Sequence, residues 1–131
     1  MTNPATLGNI SPFFIVEELE RAINFYQDSL GFEVRLRFPD EEPFFGIVGR
    51  DQAQILLKVI GSDVKPMPNP VRHAWARWDA FIYVEDPDTL AAEFQGRAVD
   101  FVEILRDWED GMRGFAVSDR DGYVIFFGRP Q

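Results

Sequence analysis

The alternation of apolar and polar residues predicts a β-hairpin near the C-terminal end of the chain. Residues 115–117 begin one extended run, residues 123–127 form a second, and Asp121-Gly122 is typical of the turn between two such runs. In the second run Val124 and Phe126 share one face, and the odd-numbered residues share the other. Both faces are apolar, so we expect a helix to cover one of them and a cleft to lie against the other.

The pattern of the remaining chain predicts two units with the same order of elements. The first is a strand, a helix and three strands, at residues 10–16, 17–30, 32–38, 44–48 and 53–59, with Gly31 as the helix cap. A proline-rich segment without periodicity follows at residues 61–70. The second unit is a strand at 79–85, a helix at 87–94 capped by Gly96, an extended run at 101–105 and the terminal hairpin.

These two units align with one another along the chain. Val16-Glu-Glu-Leu19 corresponds to Val84-Glu-Asp-Pro87, at an offset of about 68 residues. The repetition predicts an α+β fold of two tandem βαβββ modules, residues 9–60 and 77–128, joined by a linker at 61–76. We expect their curved mixed sheets to surround a cleft, which closes either within one chain or by exchange between two chains.

The alternation also assigns individual strand residues to the cleft. With Val16 and Val84 facing the helices, the cleft positions are Ser11, Phe13, Ile15, Asp79, Phe81 and Tyr83, together with Leu56 and Lys58 opposite Val124 and Phe126. This surface is largely apolar and aromatic, which is typical of a site for a small molecule.

The composition excludes several classes of function. The chain contains no cysteine, which rules out disulfides, thiolate metal sites and cysteine nucleophiles. Its formal net charge of -9 disfavours nucleic acid and anionic lipid as partners and favours cationic ligands. The N-terminal residues lack the features of a secretion signal and no apolar run reaches membrane-spanning length, so we expect a cytoplasmic protein.

Two stretches carry a resemblance to a known superfamily. They are residues 14–32, Phe-Ile-Val-Glu-Glu-Leu-Glu-Arg-Ala-Ile-Asn-Phe-Tyr-Gln-Asp-Ser-Leu-Gly-Phe, and residues 114–123, Gly-Phe-Ala-Val-Ser-Asp-Arg-Asp-Gly-Tyr. The chain resembles the vicinal oxygen chelate superfamily, which includes glyoxalase I, extradiol dioxygenases, fosfomycin resistance proteins and bleomycin resistance proteins. The resemblance spans residues 9–128 and implies the two-module fold, whereas the reaction differs among members.

Metal-dependent members of that superfamily hold their ion with His, Gln or Glu side chains, two from each module. The matching positions here are Ser11, Leu56, Asp79 and Phe126. Leu56 and Phe126 have no donor atoms, and one carboxylate does not hold a catalytic divalent ion. The single histidine, His73, precedes the second module and is read as a solvated loop residue. We therefore expect no metal and no cofactor, and in character the chain is closest to the metal-free bleomycin-resistance-like members.

The candidate ligand-binding residues combine aromatic rings with a few charged groups. They are Phe13, Phe45, Leu56, Lys58, Asp79, Phe81, Trp108, Arg113 and Phe126. Three of the rings, those of Phe13, Phe81 and Phe126, either sandwich a flat ligand or fill the cleft by touching each other. Asp79 pairs with a ligand cation or with Lys58 across the cleft.

The predicted loop at residues 106–113 carries Trp108 among acidic residues, which suits a cationic or heteroaromatic ligand. Gly111 and Gly114 would let this loop move as a lid, and the alternative position for Trp108 is a dimer interface. The basic and aromatic residues at 72–78 either line the cleft of a neighbouring subunit or anchor the linker.

The leading hypothesis is a metal-free homodimeric protein that sequesters a planar or cationic small molecule in an aromatic cleft, with no catalytic residue. The alternative is an enzyme of the superfamily, either glyoxalase-like or dioxygenase-related, or a metal-independent one with Asp79 or Glu109 as general base. A third possibility is an accessory module whose cleft is filled by its own side chains.

Overall fold

The structure is a computed structural model that describes residues 3–131. It contains eight strands and three α-helices within that range. In chain order these are β1 (Phe13–Ile15), α1 (Leu19–Asn24), β2 (Glu33–Phe38), β3 (Phe45–Arg50), β4 (Ala53–Lys58), α2 (Asn69–Arg72), β5 (Ala80–Tyr83), α3 (Pro87–Gly96), β6 (Phe101–Asp107), β7 (Met112–Ser118) and β8 (Val124–Pro130). A π-helical segment, Phe25–Ser29, continues α1.

The strands form two four-stranded sheets with the same internal order. The first sheet has the order β1-β4-β3-β2 and the second has the order β5-β8-β7-β6. In each sheet the first strand of the module runs parallel to the last, and the other neighbours are antiparallel. The prediction of an α+β fold built from two βαβββ modules is confirmed.

One hydrophobic core joins the helix-covered faces of the two sheets. Its fully buried members include Ile55 and Leu57 of the first sheet, Ile125 of the second, and Ile23 and Phe94 of the helices. Because side chains alternate along a strand, the residues between these point to the opposite side, which we call the open face of each sheet. The predicted division of β8 is observed, since Ile125 and Phe127 belong to this core while Val124 and Phe126 belong to a separate cluster.

The turn between β7 and β8 joins the second module to the helix of the first. The Tyr26 hydroxyl donates a hydrogen bond of 2.6 Å to the Asp119 carboxylate, and the Tyr123 hydroxyl donates one of 2.6 Å to the carbonyl of Ile15. The Tyr123 ring also stacks on that of Phe14, with centroids 4.2 Å apart. Burial raises the pKa of Asp119 to about 6, even though its hydrogen bonds act in the opposite direction.

Some predicted boundaries are wrong in informative ways. Gly96 lies inside α3, and the left-handed residue beyond the helix is Ala98, with φ of 60°. The predicted loop at residues 106–113 is the end of β6, a four-residue turn closed by the Trp108 amide and the Met112 carbonyl at 2.7 Å, and the start of β7. The short helix α2 lies inside the predicted linker, where three prolines hide any periodicity.

Candidate functional site

The open face of the first sheet carries two rows of apolar side chains. Strand register places Phe13, Leu56, Ile47 and Leu36 in one row, and Ile15, Lys58, Phe45 and Phe38 in the next. The outer members are strongly exposed, with Phe13 at 52% and Phe38 at 56%. Lys58 is the only cation within these rows, and its Nζ lies 5.7 Å from the ring centroid of Phe44. Four predicted site residues, Phe13, Phe45, Leu56 and Lys58, therefore share this face.

The open face of the second sheet is covered by aromatic side chains of the same chain. Phe81, Phe126, Ala116 and Glu103 form one row across the strands. Gly128 and Gly114 are paired in the next row, and a Cβ on either would come within 2.7 Å of the Phe126 ring. The Phe126 ring thus occupies the space that side chains on the two glycines would fill, and we call this pair the glycine floor; Phe126 is fully buried there.

Trp78 covers the Phe126 ring from the other side. Their centroids are 4.4 Å apart, and the Phe81 ring stacks on Phe126 at 5.5 Å. Trp78 lies in the segment that connects the two modules, just before β5. The sequence left open whether Phe13, Phe81 and Phe126 sandwich a flat ligand or touch each other. In the structure the rings of Phe81 and Phe126 are in contact, whereas Phe13 lies on the other sheet.

Arg77 lies within a cage of aromatic and acidic groups above this stack. Its guanidinium carbon is 4.4 Å from the ring centroid of Trp78, 4.8 Å from that of Trp108 and 5.8 Å from that of Phe126. The Nε and one terminal nitrogen donate to the two Glu103 oxygens at 2.8 and 3.0 Å, and the other terminal nitrogen donates to Asp110 at 3.1 Å. We call Trp78, Glu103, Trp108, Asp110 and Phe126 the arginine cage.

The cage residues are themselves held in place by hydrogen bonds. Trp78 Nε1 donates to Glu103 at 3.0 Å, and Trp108 Nε1 donates to the carbonyl of Gly114 at 3.0 Å. Arg106 lies 3.8 Å from the Trp108 centroid and pairs with the exposed Glu109. Trp108 is therefore fixed above β7. Gly114 lies inside that strand rather than in a loop, so it is not placed to act as the hinge of a mobile lid.

Asp79 has a structural role that the sequence did not reveal. Its two carboxylate oxygens accept hydrogen bonds from the backbone amides of Asn69 at 2.7 Å and Val124 at 2.8 Å. It therefore ties the connecting segment to the start of β8, in place of the predicted pairing with Lys58. Together with Phe13 it lines a small cleft of about 290 Å³.

Arg113 lies on the helix-covered side of β7, away from the other candidates. It makes hydrogen bonds of 2.8 and 2.7 Å to Asp88 in the first turn of α3, and it also contacts Asp107 at 3.1 Å. These contacts fasten α3 to the β6–β7 hairpin and keep Arg113 out of both open faces.

The positions that hold a metal ion in related proteins do not form a metal site in this chain. Leu56 and Phe126 present only carbon atoms, and the Asp79 carboxylate is occupied by two amides. Within residues 3–131, no three His, Cys, Asp or Glu side chains are grouped so that they could hold an ion.

The two groups considered as a general base lie in unfavourable surroundings for that role. A hydrogen bond from its own backbone amide, followed by the charge of Arg106, lowers the pKa of Glu109, which makes this carboxylate a weaker base. Both oxygens of Asp79 are already hydrogen-bonded. Burial instead raises the pKa of two acids in the turn between β7 and β8, Asp119 and Asp121.

A groove of about 700 Å³ lies between the modules rather than on an open face. It is bordered by the chain before β1, the β3–β4 turn and the free edge of β5, with Arg50, Gln52, Ala80 and Leu90 among its lining residues. Sequence reasoning did not predict this groove, because it depends on the packing of two sheet edges.

Glu103 is the member of the site that sequence reasoning missed, whereas Arg77 and Trp78 belong to the stretch 72–78, which was predicted to line a neighbouring subunit's cleft or to anchor the linker. Glu103 alternates with Phe101 and Leu105 in β6, a pattern that places it opposite the core and was available from the sequence. Arg77 and Trp78 lie outside regular structure, where alternation gives no signal.

Comparison with known proteins places this geometry in a family. Residues 7–127 match the model of the Glyoxalase/Bleomycin resistance protein/Dioxygenase superfamily. The chain belongs to this superfamily. The resemblance inferred from residues 14–32 and 114–123 is thereby confirmed.

Solved structures of superfamily proteins share the whole fold at low sequence identity. TnmS3, an antibiotic binding protein from Streptomyces sp. CB03234, is 20% identical with a TM-score of 0.68, over 97% of this chain and 100% of that one. TioX from Micromonospora sp. ML1 is 18% identical with a TM-score of 0.70, over 95% and 100% of the two chains. A glyoxalase-related enzyme from Clostridium phytofermentans is 14% identical with a TM-score of 0.74, over 100% of both.

Two negative findings complete this description, one from the curated proteins and one from the helices of the structure. No curated protein sequence matches the chain significantly. In residues 3–131, no helix is long and apolar enough to cross a membrane.

Proposed function

We propose that the protein is a metal-free binding protein that sequesters a planar or cationic small molecule, as antibiotic-binding members of the superfamily do. The ligand is held in an aromatic cleft and is released unchanged. The protein acts as a homodimer in the cytoplasm, and antibiotic resistance is the biological role that fits such sequestration.

The observation that carries the proposal is the side chain of Phe126 and its surroundings. At a position where metal-dependent members place a ligand, Phe126 is stacked between the glycine floor and Trp78, among Phe81 and Trp108. Aromatic faces bind flat and cationic groups by stacking and cation-π attraction. The carboxylates at this surface, those of Glu103 and Asp110, are both hydrogen-bonded to Arg77.

The exposed rows of the first sheet support the dimer. Phe13, Leu36 and Phe38 are each at least 42% exposed and lie in these rows, and the exposed ring of Phe44 packs edge-on against Phe38. Contiguous exposed apolar surface of this kind marks a binding or association site. In the proposed dimer, the open face of the first sheet of one protomer covers the open face of the second sheet of its partner, and the ligand lies between them.

The enzymatic alternative has less support. Both oxygens of Asp79 accept hydrogen bonds from backbone amides, and a hydrogen bond from its own backbone amide lowers the pKa of Glu109, so neither carboxylate is suited to act as a general base. The accessory-module alternative is favoured by one observation, namely that the second open face is filled by Trp78 and Arg77. It predicts that no small molecule binds.

Calorimetric titration of chelator-treated protein with bleomycin, a cationic probe that carries a flat heteroaromatic group, tests the proposal. We expect about one ligand per subunit with micromolar or tighter affinity, which is about 8 kcal/mol or more. Absence of heat with bleomycin and with a panel of flat cationic antibiotics would contradict sequestration.

Tryptophan fluorescence locates the binding site in the same experiment. Trp78 and Trp108 lie on the second open face, whereas Trp75 is 87% exposed in the connecting segment. Ligand-dependent quenching should persist in Trp75→Phe, which is the matched control, and should decrease in Trp78→Phe and Trp108→Phe. Quenching lost only in Trp75→Phe would place the ligand elsewhere.

A further inference from the structure

The guanidinium of Arg77 makes the hydrogen bonds and aromatic contacts that would be expected of a bound guanidinium ligand. Three of its nitrogens donate hydrogen bonds to Glu103 and Asp110, and its carbon lies less than 5 Å from two indole rings. A bidentate carboxylate and flanking aromatic faces are the features that select a flat, delocalised cation over a compact ammonium. The cage is thus a guanidinium receptor in its chemistry.

Four of the five cage residues come from a different part of the fold than Arg77, and the fifth, Trp78, follows Arg77 in the connecting segment. Glu103, Trp108, Asp110 and Phe126 belong to the second sheet and its β6–β7 turn, whereas Arg77 belongs to the segment that connects the modules. Arg77 is outside every strand, and the segment is tied down separately, through the hydrogen bonds of Asp79 to Asn69 and Val124. Rotation of the Arg77 side chain out of the cage therefore breaks no strand pairing.

We propose that the arginine cage is a binding site for guanidinium or amidinium groups and that Arg77 is a built-in competitor that occupies it in the absence of ligand. This inference rests on the proposed binding function and names the ligand chemistry of that site. A ligand with a flat cationic group displaces the Arg77 side chain, takes over its hydrogen bonds to Glu103 and Asp110, and stacks between Trp78 and Trp108.

The charge of the cage supports a cationic ligand once Arg77 has left. Glu103 and Asp110 then remain without their main partner, and the Glu103 side chain is only 17% exposed. The nearest other guanidinium, that of Arg106, already pairs with Glu109. A partly buried carboxylate without a partner is costly, so a cation that replaces Arg77 recovers stability that the empty cage lacks.

Benzamidinium is the probe for this site because it combines a flat aromatic ring with an amidinium group. Its affinity is measured by calorimetry for the wild-type protein and for Arg77→Ala, Arg77→Met and Arg106→Ala. Arg77→Met keeps most of the aliphatic stem that packs on the cage, which protects against loss of the fold. Arg106→Ala is the matched control, since it also removes a guanidinium beside the Trp108 ring but leaves Arg77 in place.

We expect both Arg77 variants to bind benzamidinium at least about tenfold more tightly than the wild type, whereas Arg106→Ala binds like the wild type. In thermal unfolding, benzamidinium should raise the Tm of the Arg77 variants more than that of the wild type, because it binds only the folded state. Adding Glu103→Gln to either Arg77 variant should abolish the gain.

Three results would overturn the inference. They are unchanged benzamidinium affinity in folded Arg77→Met, an equal gain in Arg106→Ala, or a gain that survives Glu103→Gln. In the wild type, the Arg77 Nε–H signal in nuclear magnetic resonance should shift on saturation with benzamidinium, and a constant signal would mean that Arg77 is not displaced. These outcomes are independent of bleomycin binding to the wild type, so the inference and the proposed function can fail separately.

Discussion

At the scale of single residues, Glu103 is the group on which the second open face depends most. It accepts two hydrogen bonds from Arg77 and one from the Trp78 indole, and it is the most buried carboxylate among the ion pairs of the cage. Half-buried ion pairs stabilise a fold only while both partners are present. The position of Trp78 over Phe126 therefore depends on the charge of Glu103.

Glu103→Gln should lower the free energy of unfolding by about 1–3 kcal/mol, because it leaves the Arg77 guanidinium half-buried without its bidentate partner. Urea denaturation measures the difference. Glu109→Gln is the matched control, since Glu109 pairs with Arg106 but is 80% exposed, and it should leave the free energy of unfolding essentially unchanged. Equal effects of the two substitutions would show that burial of the Glu103 pair contributes nothing.

The raised pKa of Asp119 predicts how the stability of the fold depends on pH. Burial raises its pKa from 3.8 to about 6, so the folded chain binds this proton more tightly than the unfolded chain. The carboxyl thus favours the folded state below about pH 4 and loses that contribution as the pH rises through about 6. Between about pH 4 and pH 6, the contribution of Asp119 to the free energy of unfolding changes by about 3 kcal/mol at most.

The variant Asp119→Asn isolates this effect, because the amide oxygen still accepts from the Asp121 and Tyr123 amides but does not titrate. The free energy of unfolding of the wild type, relative to the variant, should fall as the pH is raised from about 4 to about 7. Chemical denaturation at several pH values measures it. Parallel pH profiles for the two proteins would contradict a raised pKa at Asp119.

At the scale of elements, the paired strands β7 and β8 are adapted to hold one aromatic ring. A Cβ on Gly114 would overlap the Phe127 carbonyl oxygen and would come within 2.7 Å of the Phe126 ring. Neither contact can be relieved without moving the backbone of β8 or displacing the Phe126 ring. The absence of a side chain at Gly114 is therefore a packing requirement of the sheet.

Gly114→Ala should destabilise the fold by about 2–3 kcal/mol and change the near-ultraviolet circular dichroism of Trp78 and Trp108, as Phe126 is displaced. Gly96→Ala is the control: a Cβ there meets nothing within 4 Å, and alanine favours the helix, so stability should rise by about 0.5 kcal/mol. An unchanged dichroism signal in a destabilised Gly114→Ala would show that the glycine floor does not position the aromatic stack.

The sequence predicted the elements well wherever side chains alternate or repeat with helical spacing. The two faces of β8 and the placement of Leu56 and Lys58 on one side of β4 followed from alternation alone. The arginine cage could not be predicted in this way, because Arg77 and Trp78 lie outside regular secondary structure. The path of that segment is set by hydrogen bonds from Asn69 and Val124, which are distant in sequence, to the Asp79 carboxylate. β6 was predicted too short because its register shifts twice, which interrupts the alternation.

At the scale of the whole molecule, the two modules share a core on one side and leave both open faces exposed on the other. The second open face is partly covered by its own tryptophans, whereas within residues 3–131 no such cover lies over the apolar rows of the first. A monomer would leave Phe13, Phe38 and Tyr83 in water, at 52%, 56% and 64% exposure. Burial of apolar surface between two chains is the main driving force that could remove them from water.

Phe38→Glu tests whether the first open face is a dimer interface. A carboxylate in the middle of an apolar contact is costly, so the wild type should sediment as a dimer at micromolar concentration and the variant as a monomer, or with at least about tenfold weaker association. Analytical ultracentrifugation over a range of concentrations measures this. The matched control is Ala92→Glu, which adds the same charge on the exposed side of α3 and should leave the association constant unchanged. If Phe38→Glu stays folded and associates as the wild type does, the first open face is not the interface, and a ligand cleft shared between two chains has to be abandoned.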